Sequence, residues 1–413
     1  MAERGRKKKK VKTTTPHNLS LSHMPVAMFS KMMAMLGAAC SLFAIARSAA
    51  VSWAPAAATS PARLSLPFCT SSDDYTAGRF ERLLPPRPPR AEAPPYPCPR
   101  IPLPQFYVHQ VMRYEPDTES ARVERQRSFD STRWVWVPDK CRLRPFDSAA
   151  FVGSLRNGTA LFTGDSLNEF MADELACLLD ADGFVESAER STYSPGWSRV
   201  VLKAGAGQIR YLRNDLLVDG VTGTVRDAVG DHHRFQHDWV AAARSMGPSD
   251  LLVLNAGAHW GGRVEYEPTF NIWRDGGVNY VNMTATVVRA LAAVGFRGRV
   301  AYRSSVGGHV GCRAATEPAA TYDAARALYG DGAYNWHALN TDFMLLAWQR
   351  AVADHAPAWL RSRFTFLDVG MTRLRPDGHI VAGYEDCLHY LVPGPMTTWV
   401  ALLHNLVVDP VRP

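Results

Sequence analysis

The chain has 413 residues, 46% of them hydrophobic, enough to bury a full core in one large domain with flanking segments rather than in several small domains. Its formal net charge is +7, but the opening stretch MAERGRKKKKVK holds Arg4, Arg6, Lys7, Lys8, Lys9, Lys10 and Lys12 against Glu3 alone. The rest of the chain is close to neutral, so the high isoelectric point gives no support to a nucleic-acid-binding surface, and nucleic acid is not an expected partner.

Residues 1–24 read as a basic cytosolic tail and 25–58 as a signal anchor or signal peptide. Within the latter, residues 32–46 are an uncharged run between Lys31 and Arg47, shorter than the roughly 20 apolar residues of a bilayer crossing, although small and apolar residues continue to Ala58. A signal anchor, a cleaved secretory signal and an organelle transit peptide all fit, and the first two put the body in the secretory lumen. A basic block can also be a nuclear signal, but the apolar run behind it favours the membrane. Cysteine usage agrees with a lumen. Apart from Cys40 in the apolar run there are Cys69, Cys98, Cys141, Cys177, Cys312 and Cys387, an even number with no CxxC pair, which suits disulfides better than a zinc ribbon. Asn157-Gly-Thr and Asn282-Met-Thr are glycosylation sequons.

Residues 59–126 form a proline-rich stem or strap, densest in RLLPPRPPRAEAPPYPCPRIPLP, which Cys69 and Cys98 could tie to the body. Residues 127–413 are the expected catalytic domain, with an aromatic-rich entry in RWVWVPDKCRLRPFD. From there strand and helix patterns alternate. GTALFTGDS is a short apolar run ending in a turn, and LNEFMADELACLLD carries a core stripe of Leu167, Phe170, Met171 and Leu175 at helical spacing. SDLLVLNAGAHW predicts a buried strand and VNMTATVVRALAAVGF a helix; GRVAYRSSV and RFTFLDVG predict two more strands, with a helix over about 334–354 between them. Continuous apolar strands alternating with helices predict an α/β fold with a mainly parallel central sheet, whose functional residues gather at the carboxyl ends of the strands.

Two short stretches carry chemistry. Ser166 falls where a strand ends and a helix begins, a place where its hydroxyl faces the crevice and nearby amides point toward an incoming carbonyl oxygen. Such a serine needs a base and a group that orients the base. Asp165 and Ser166 are equally ordinary helix-capping residues. Near the other end, GYEDCLHYLVPGPMTTWVALL places Asp386 three residues before His389, close enough for a carboxylate to hold an imidazole in one tautomer, with Glu385 as a competing carboxylate. His232, His233 and His237 could be drawn as metal ligands, but a polar loop or helix start accounts for them and no metal is expected.

In this order WVWVPDKCRLRPFD, FTGDSLNEFMADELACLL, LLVLNAGAHW, YRSSVGGHVGC and DCLHYLVPGPMTTWVALL resemble the trichome birefringence-like and PC-esterase group of the GDSL/SGNH superfamily. The resemblance implies a three-layer SGNH-like fold and a triad of Ser166 as nucleophile, His389 as general base and then acid, and Asp386 as its orienting partner. It further implies the Ser166 amide, Gly164, Asp165, Asn168, Asn255, Gly257 and His259 as oxyanion or supporting groups. Trp260, and with it Trp273, would either stack on sugar rings or pack in the core; His309 would either contact the acceptor or be a buried structural histidine. The implied activity is acetyl transfer to hydroxyls of cell-wall polysaccharides in the Golgi from a single-pass type II anchor. No cofactor would be tightly bound, and acetyl-CoA or another acetyl carrier would serve as co-substrate. A secreted carbohydrate acetylesterase and a non-catalytic luminal polysaccharide-binding protein are the alternatives. The chain departs from the plant pattern at Glu169, where an arginine is usual, and after His389, where Tyr390 and Leu391 replace a further cysteine, which implies one family disulfide fewer.

Overall fold

In the computed structural model of the protein, the apolar runs become the strands of one seven-stranded sheet and the amphipathic stretches become helices on both of its faces. The structure describes residues 65–83, 98, 100–101, 119–191, 196–218, 237–260, 279–328, 335–381 and 386–408. The chain divides into two units, 1–51 and 52–413, and all of these residues belong to the second. Among them no helix is long and apolar enough to cross a membrane; the apolar run at 32–46 lies outside them, as do His232, His233, Trp273 and Glu385.

In chain order the strands are β1 (Gly78–Arg82), β2 (Trp134–Pro138), β3 (Thr159–Gly164), β4 (Val185–Arg190), β5 (Trp197–Leu202), β6 (Gln208–Arg213), β7 (Leu251–Leu254), β8 (Arg299–Arg303), β9 (Phe364–Leu367), β10 (His379–Ile380) and β11 (Asp386–Tyr390). The main helices are α1 (Glu119–Ser131), α2 (Ser148–Leu155), α3 (Ser166–Ala181), α4 (Trp239–Arg244), α5 (Tyr280–Ala293), α6 (Asn335–His355) and α7 (Pro395–Val407). The large sheet has the order β4-β5-β6-β3-β7-β8-β9. Its β3-β7-β8-β9 block is parallel, as expected, and β6 extends it in parallel beside β3. The β4, β5 and β6 strands are absent from the sequence reading, and β4 and β5 add an antiparallel flank beyond β6.

Side chains alternate across this sheet and so feed two cores. Ala160, Phe162, Val253 and Ala301 enter one core with Phe170, Met171 and Leu175 of α3 and Trp399, Val400 and Leu403 of α7. Leu161, Leu252, Leu254 and Tyr302 enter the other with Met283, Val287 and Leu291 of α5 and Met344, Trp348 and Val352 of α6. Both faces of the central strands are thus covered, which is why all four residues of β7 are buried and why that strand reads as an unbroken apolar run.

Disulfides Cys69–Cys141, Cys98–Cys177 and Cys312–Cys387 use all six cysteines outside the apolar run. Two of them bind the proline-rich segment to the body, and the proline-free Gly78–Arg82 within it forms β1, paired antiparallel to β2. That strand is a regular element inside a segment expected to hold none, because its five residues retain every backbone N–H. The third disulfide ties the loop after β8 to β11, which pairs antiparallel to β10.

Candidate active site

The central strand β3 ends at Gly164 with φ +144°, and a Cβ there would lie 2.4 Å from the carbonyl oxygen of Asn255. Only glycine allows the turn into α3 with the loop after β7 this close. Asp165 then caps the helix: its Oδ1 accepts the Leu167 amide at 3.0 Å, and its backbone carbonyl accepts the amides of Asn168 and Glu169 at 3.0 and 3.2 Å. Asp165 and Ser166 take different parts at this turn. Asp165 satisfies the first-turn donors, and the Ser166 amide is left with no protein acceptor among the described residues.

Ser166 Oγ lies 2.6 Å from His389 Nε2, and His389 Nδ1 lies 2.8 Å from Asp386 Oδ2. The other carboxylate oxygen of Asp386 accepts the backbone amides of Leu388 and His389, both at 3.1 Å, so the three-residue spacing is realised as a carboxylate folded over its own strand. Burial alone would raise the carboxyl pKa of Asp386. The His389 charge and the three hydrogen bonds outweigh burial and hold it below its ordinary value. An ionised Asp386 facing Nδ1 favours the tautomer with the proton on that nitrogen, which turns Nε2 toward the Ser166 hydroxyl as an acceptor. Ser166 and His389 are 7% and 9% exposed, enough for contact with a substrate at an otherwise enclosed serine.

Of the remaining predicted residues, some support this arrangement and others leave the site. Asn168 spends its amide on the carbonyls of Thr163 and Val253 and receives Arg303 Nε on its oxygen, so it joins α3 to the sheet. Asn255 is buried and donates Nδ2 to the Arg303 carbonyl at 3.2 Å. Gly257 is a close-approach position, since a Cβ there would stand 1.9 Å from Ser305 Oγ. Its neighbour Ala258 donates its amide to Asp165 Oδ2 at 3.4 Å, which docks the loop after β7 on the nucleophile turn. His259, 39% exposed at its side chain, stands with Nε2 3.6 Å from Asp215, a carboxylate that Arg213 grips through Nε at 2.9 Å. His237, the third histidine of the DHHRFQHDW stretch, donates its amide to the Arg213 carbonyl, and no group of three or more metal-ligating side chains occurs among the described residues.

Of the two readings open for Trp260, the structure favours the core: it is 0% exposed and packs edge-on against Tyr280. His309 is likewise buried, 2.7 Å from both His379 Nε2 and the Arg373 carbonyl, in keeping with the structural alternative. Burial lowers both imidazoles, His309 to about 4. His379 in turn lies 3.1 Å from the His389 carbonyl, so the pair backs the catalytic strand.

The departure at Glu169 has a structural answer. The carboxylate pairs with Arg190 of β4, whose other guanidinium nitrogen holds Asp173 one turn along α3. No uncompensated negative charge is therefore left by Glu169 near the serine. Arg190 and Arg303 carry no motif in the sequence; the only signal is an arginine as the last residue of a strand.

A serine, histidine and aspartate joined at the carboxyl edge of a mainly parallel, helix-covered sheet define the serine acyl-transfer class of site. The family model "PC-Esterase: GDSL/SGNH-like Acyl-Esterase family found in Pmr5 and Cas1p" matches residues 143–406, and the chain belongs to that family. It is 23% identical over 338 residues to xyloglucan O-acetyltransferase 4 of Populus trichocarpa, covering 72% of this chain and 76% of the relative. It is 24% identical over 338 residues to protein trichome birefringence-like 13 of Arabidopsis thaliana, covering 69% and 76%. Xylan O-acetyltransferase 2 of Oryza sativa subsp. japonica is 27% identical over 334 residues, covering 67% and 61%. The expected family, the SGNH-like fold and the enzyme class, an acetyltransferase, are thereby borne out.

Proposed function

We propose that the protein is a polysaccharide O-acetyltransferase that works through an acetyl-serine intermediate. The observation that carries the reading is the continuous relay from Ser166 Oγ to His389 to Asp386 at 2.6 and 2.8 Å. His389 Nε2 takes the Ser166 proton as Oγ attacks the acetyl carbonyl of the donor. The Ser166 amide donates to the developing oxyanion. Collapse of the tetrahedral intermediate expels the carrier, which leaves with the proton from His389, and acetyl-Ser166 remains. A sugar hydroxyl then gives its proton to His389 and attacks the acetyl carbon; the second collapse forms the sugar ester and returns the proton to Ser166 Oγ. The acetyl donor is acetyl-CoA or another acetyl carrier, and no tightly bound cofactor takes part.

The names of the relatives support a cell-wall polysaccharide such as xylan or xyloglucan as acceptor. Three disulfides support an oxidising compartment, in keeping with a Golgi enzyme held by one N-terminal signal anchor over 25–58. The "Acyl-Esterase" in the family description favours a second reading, in which water takes the place of the sugar.

The test is incubation of the purified protein with a labelled acetyl donor and a panel of glycans, beside Ser166→Ala. Acetylated glycan that requires Ser166 is the expected result. Free acetate alone would replace transferase by esterase, and no Ser166-dependent turnover would refute both.

A further inference from the structure

One buried guanidinium joins the nucleophile turn to the rest of the site. Arg303, the last residue of β8, is 0% exposed. It alternates with Tyr302 and so shares a face with Ala301, toward α3 and α7. Its Nε donates to Asn168 Oδ1 at 3.3 Å, its Nη2 to Asp165 Oδ1 at 3.5 Å and its Nη1 to the Ser304 carbonyl at 2.8 Å. Its carbonyl accepts Asn255 Nδ2, and its Cζ sits 4.8 Å from the ring centre of Trp399 in α7. Trp399 in turn packs edge-on against Tyr390, the residue after His389, at 5.9 Å.

We propose that Arg303 is a positioning residue for acyl transfer, holding the Asp165–Ser166 turn in register with the loop after β7 and with the helix packed behind His389. The proposal rests on Ser166 being the nucleophile, as proposed above. Asp165 shares its carboxylate among Leu167, Ala258 and Arg303, so a shift of the guanidinium moves the nucleophile turn and the 255–258 loop together. Burial pulls the guanidinium pKa down from its ordinary value, and the Asp165 charge is the first influence opposing it. Arginine stays protonated in such a place, so the pair is a buried ion pair, costly to break by removing one partner and chiefly useful for specifying geometry. A compact lysine ammonium keeps the charge but lacks the planar fork that reaches Asp165, Asn168 and Ser304 at once.

The test compares Arg303→Lys, Arg303→Met, Asp165→Asn and the double variant Arg303→Met/Asp165→Asn in the full protein. Three measurements are made: thermal unfolding, the rate at which a fluorophosphonate labels Ser166, and the steady-state kinetics (kcat and KM) on 4-nitrophenyl acetate. Displacing reacting groups by an ångström costs about 100-fold, so Arg303→Lys should fold yet label and turn over about 10- to 100-fold more slowly, with KM little changed. The double variant should recover thermal stability relative to either neutralising single variant without recovering the labelling rate. Arg303→Lys labelling at the wild-type rate, or a double variant that regains both stability and labelling, would reduce Arg303 to charge compensation and overturn the proposal. Labelling needs neither acetyl donor nor glycan. A wild type that labels but acetylates nothing therefore defeats the transferase reading while the Arg303 comparison still decides the proposal; a wild type that does not label defeats both.

Discussion

Glu174 should make the fold lose stability as pH rises toward neutrality. It lies on α3, buried, with Oε1 accepting the Thr397 hydroxyl at 2.5 Å and Oε2 without a partner among the described residues. Burial raises its carboxyl from the ordinary 4.5 to about 7, opposed by the Thr397 bond. Between those values the unfolded chain has lost the proton and the folded chain still holds it. The native state then binds more protons, and stability falls with rising pH until the folded group ionises near pH 7. The interval between 4.5 and about 7 corresponds to about 3 kcal/mol, lost across that window. Asp173, which burial also raises to about 7 despite Arg190, adds a slope of the same sign, so the contribution of Glu174 is read from Glu174→Gln against wild type. Glutamine resembles the protonated acid and keeps an oxygen for Thr397. Urea unfolding at about pH 5 should find the variant less than about 1 kcal/mol the more stable, and at about pH 8 about 3 kcal/mol the more stable. A difference that does not change with pH, or one larger at the acid end, would refute the reasoning.

Asp386→Asn should preserve the backbone bonds from Leu388 and His389 but present an amide to His389 Nδ1, favouring the tautomer that cannot accept the Ser166 proton. Turnover of an activated acetyl ester should fall by about 10⁴-fold with a small change in melting temperature, and a loss below about tenfold would argue against the relay. Glu169→Arg should set two guanidinium groups against each other in the β4–α3 contact and cost about 3–5 kcal/mol in urea unfolding. Adding Arg190→Glu should restore part of that loss; a Glu169→Arg protein as stable as wild type would show that the ion pair is not what holds Glu169.

What was readable from the sequence follows from where each residue's partner lies. Strands β3, β7, β8 and β9 were legible because both faces of the central strands are covered, which forces unbroken apolar runs such as Leu251–Leu254. The β4, β5 and β6 strands were not, because Glu186, Glu189 and Arg199 on exposed positions, and Gln208, Arg210 and Arg213 in β6, break the apolar signal. His389 and Asp386 announced each other across three residues, whereas Arg303 meets Asp165 across 138, a pairing that no local pattern records. Trp260 was left open in the sequence for a different reason. A tryptophan beside a polar loop fits a sugar platform and a core anchor equally well in sequence, and only the packing against Tyr280 decides between them.

Glu169 shows why charge at a site has to be counted over the folded neighbourhood. As a lone carboxylate three residues after the serine it would oppose an oxyanion forming at Ser166. In the fold it belongs to a group with Asp173 and Arg190, and burial keeps the proton on Asp173 up to about pH 7. The substitution that departs from the plant pattern is therefore answered by Arg190, a residue of a strand outside the motifs that carry the family resemblance.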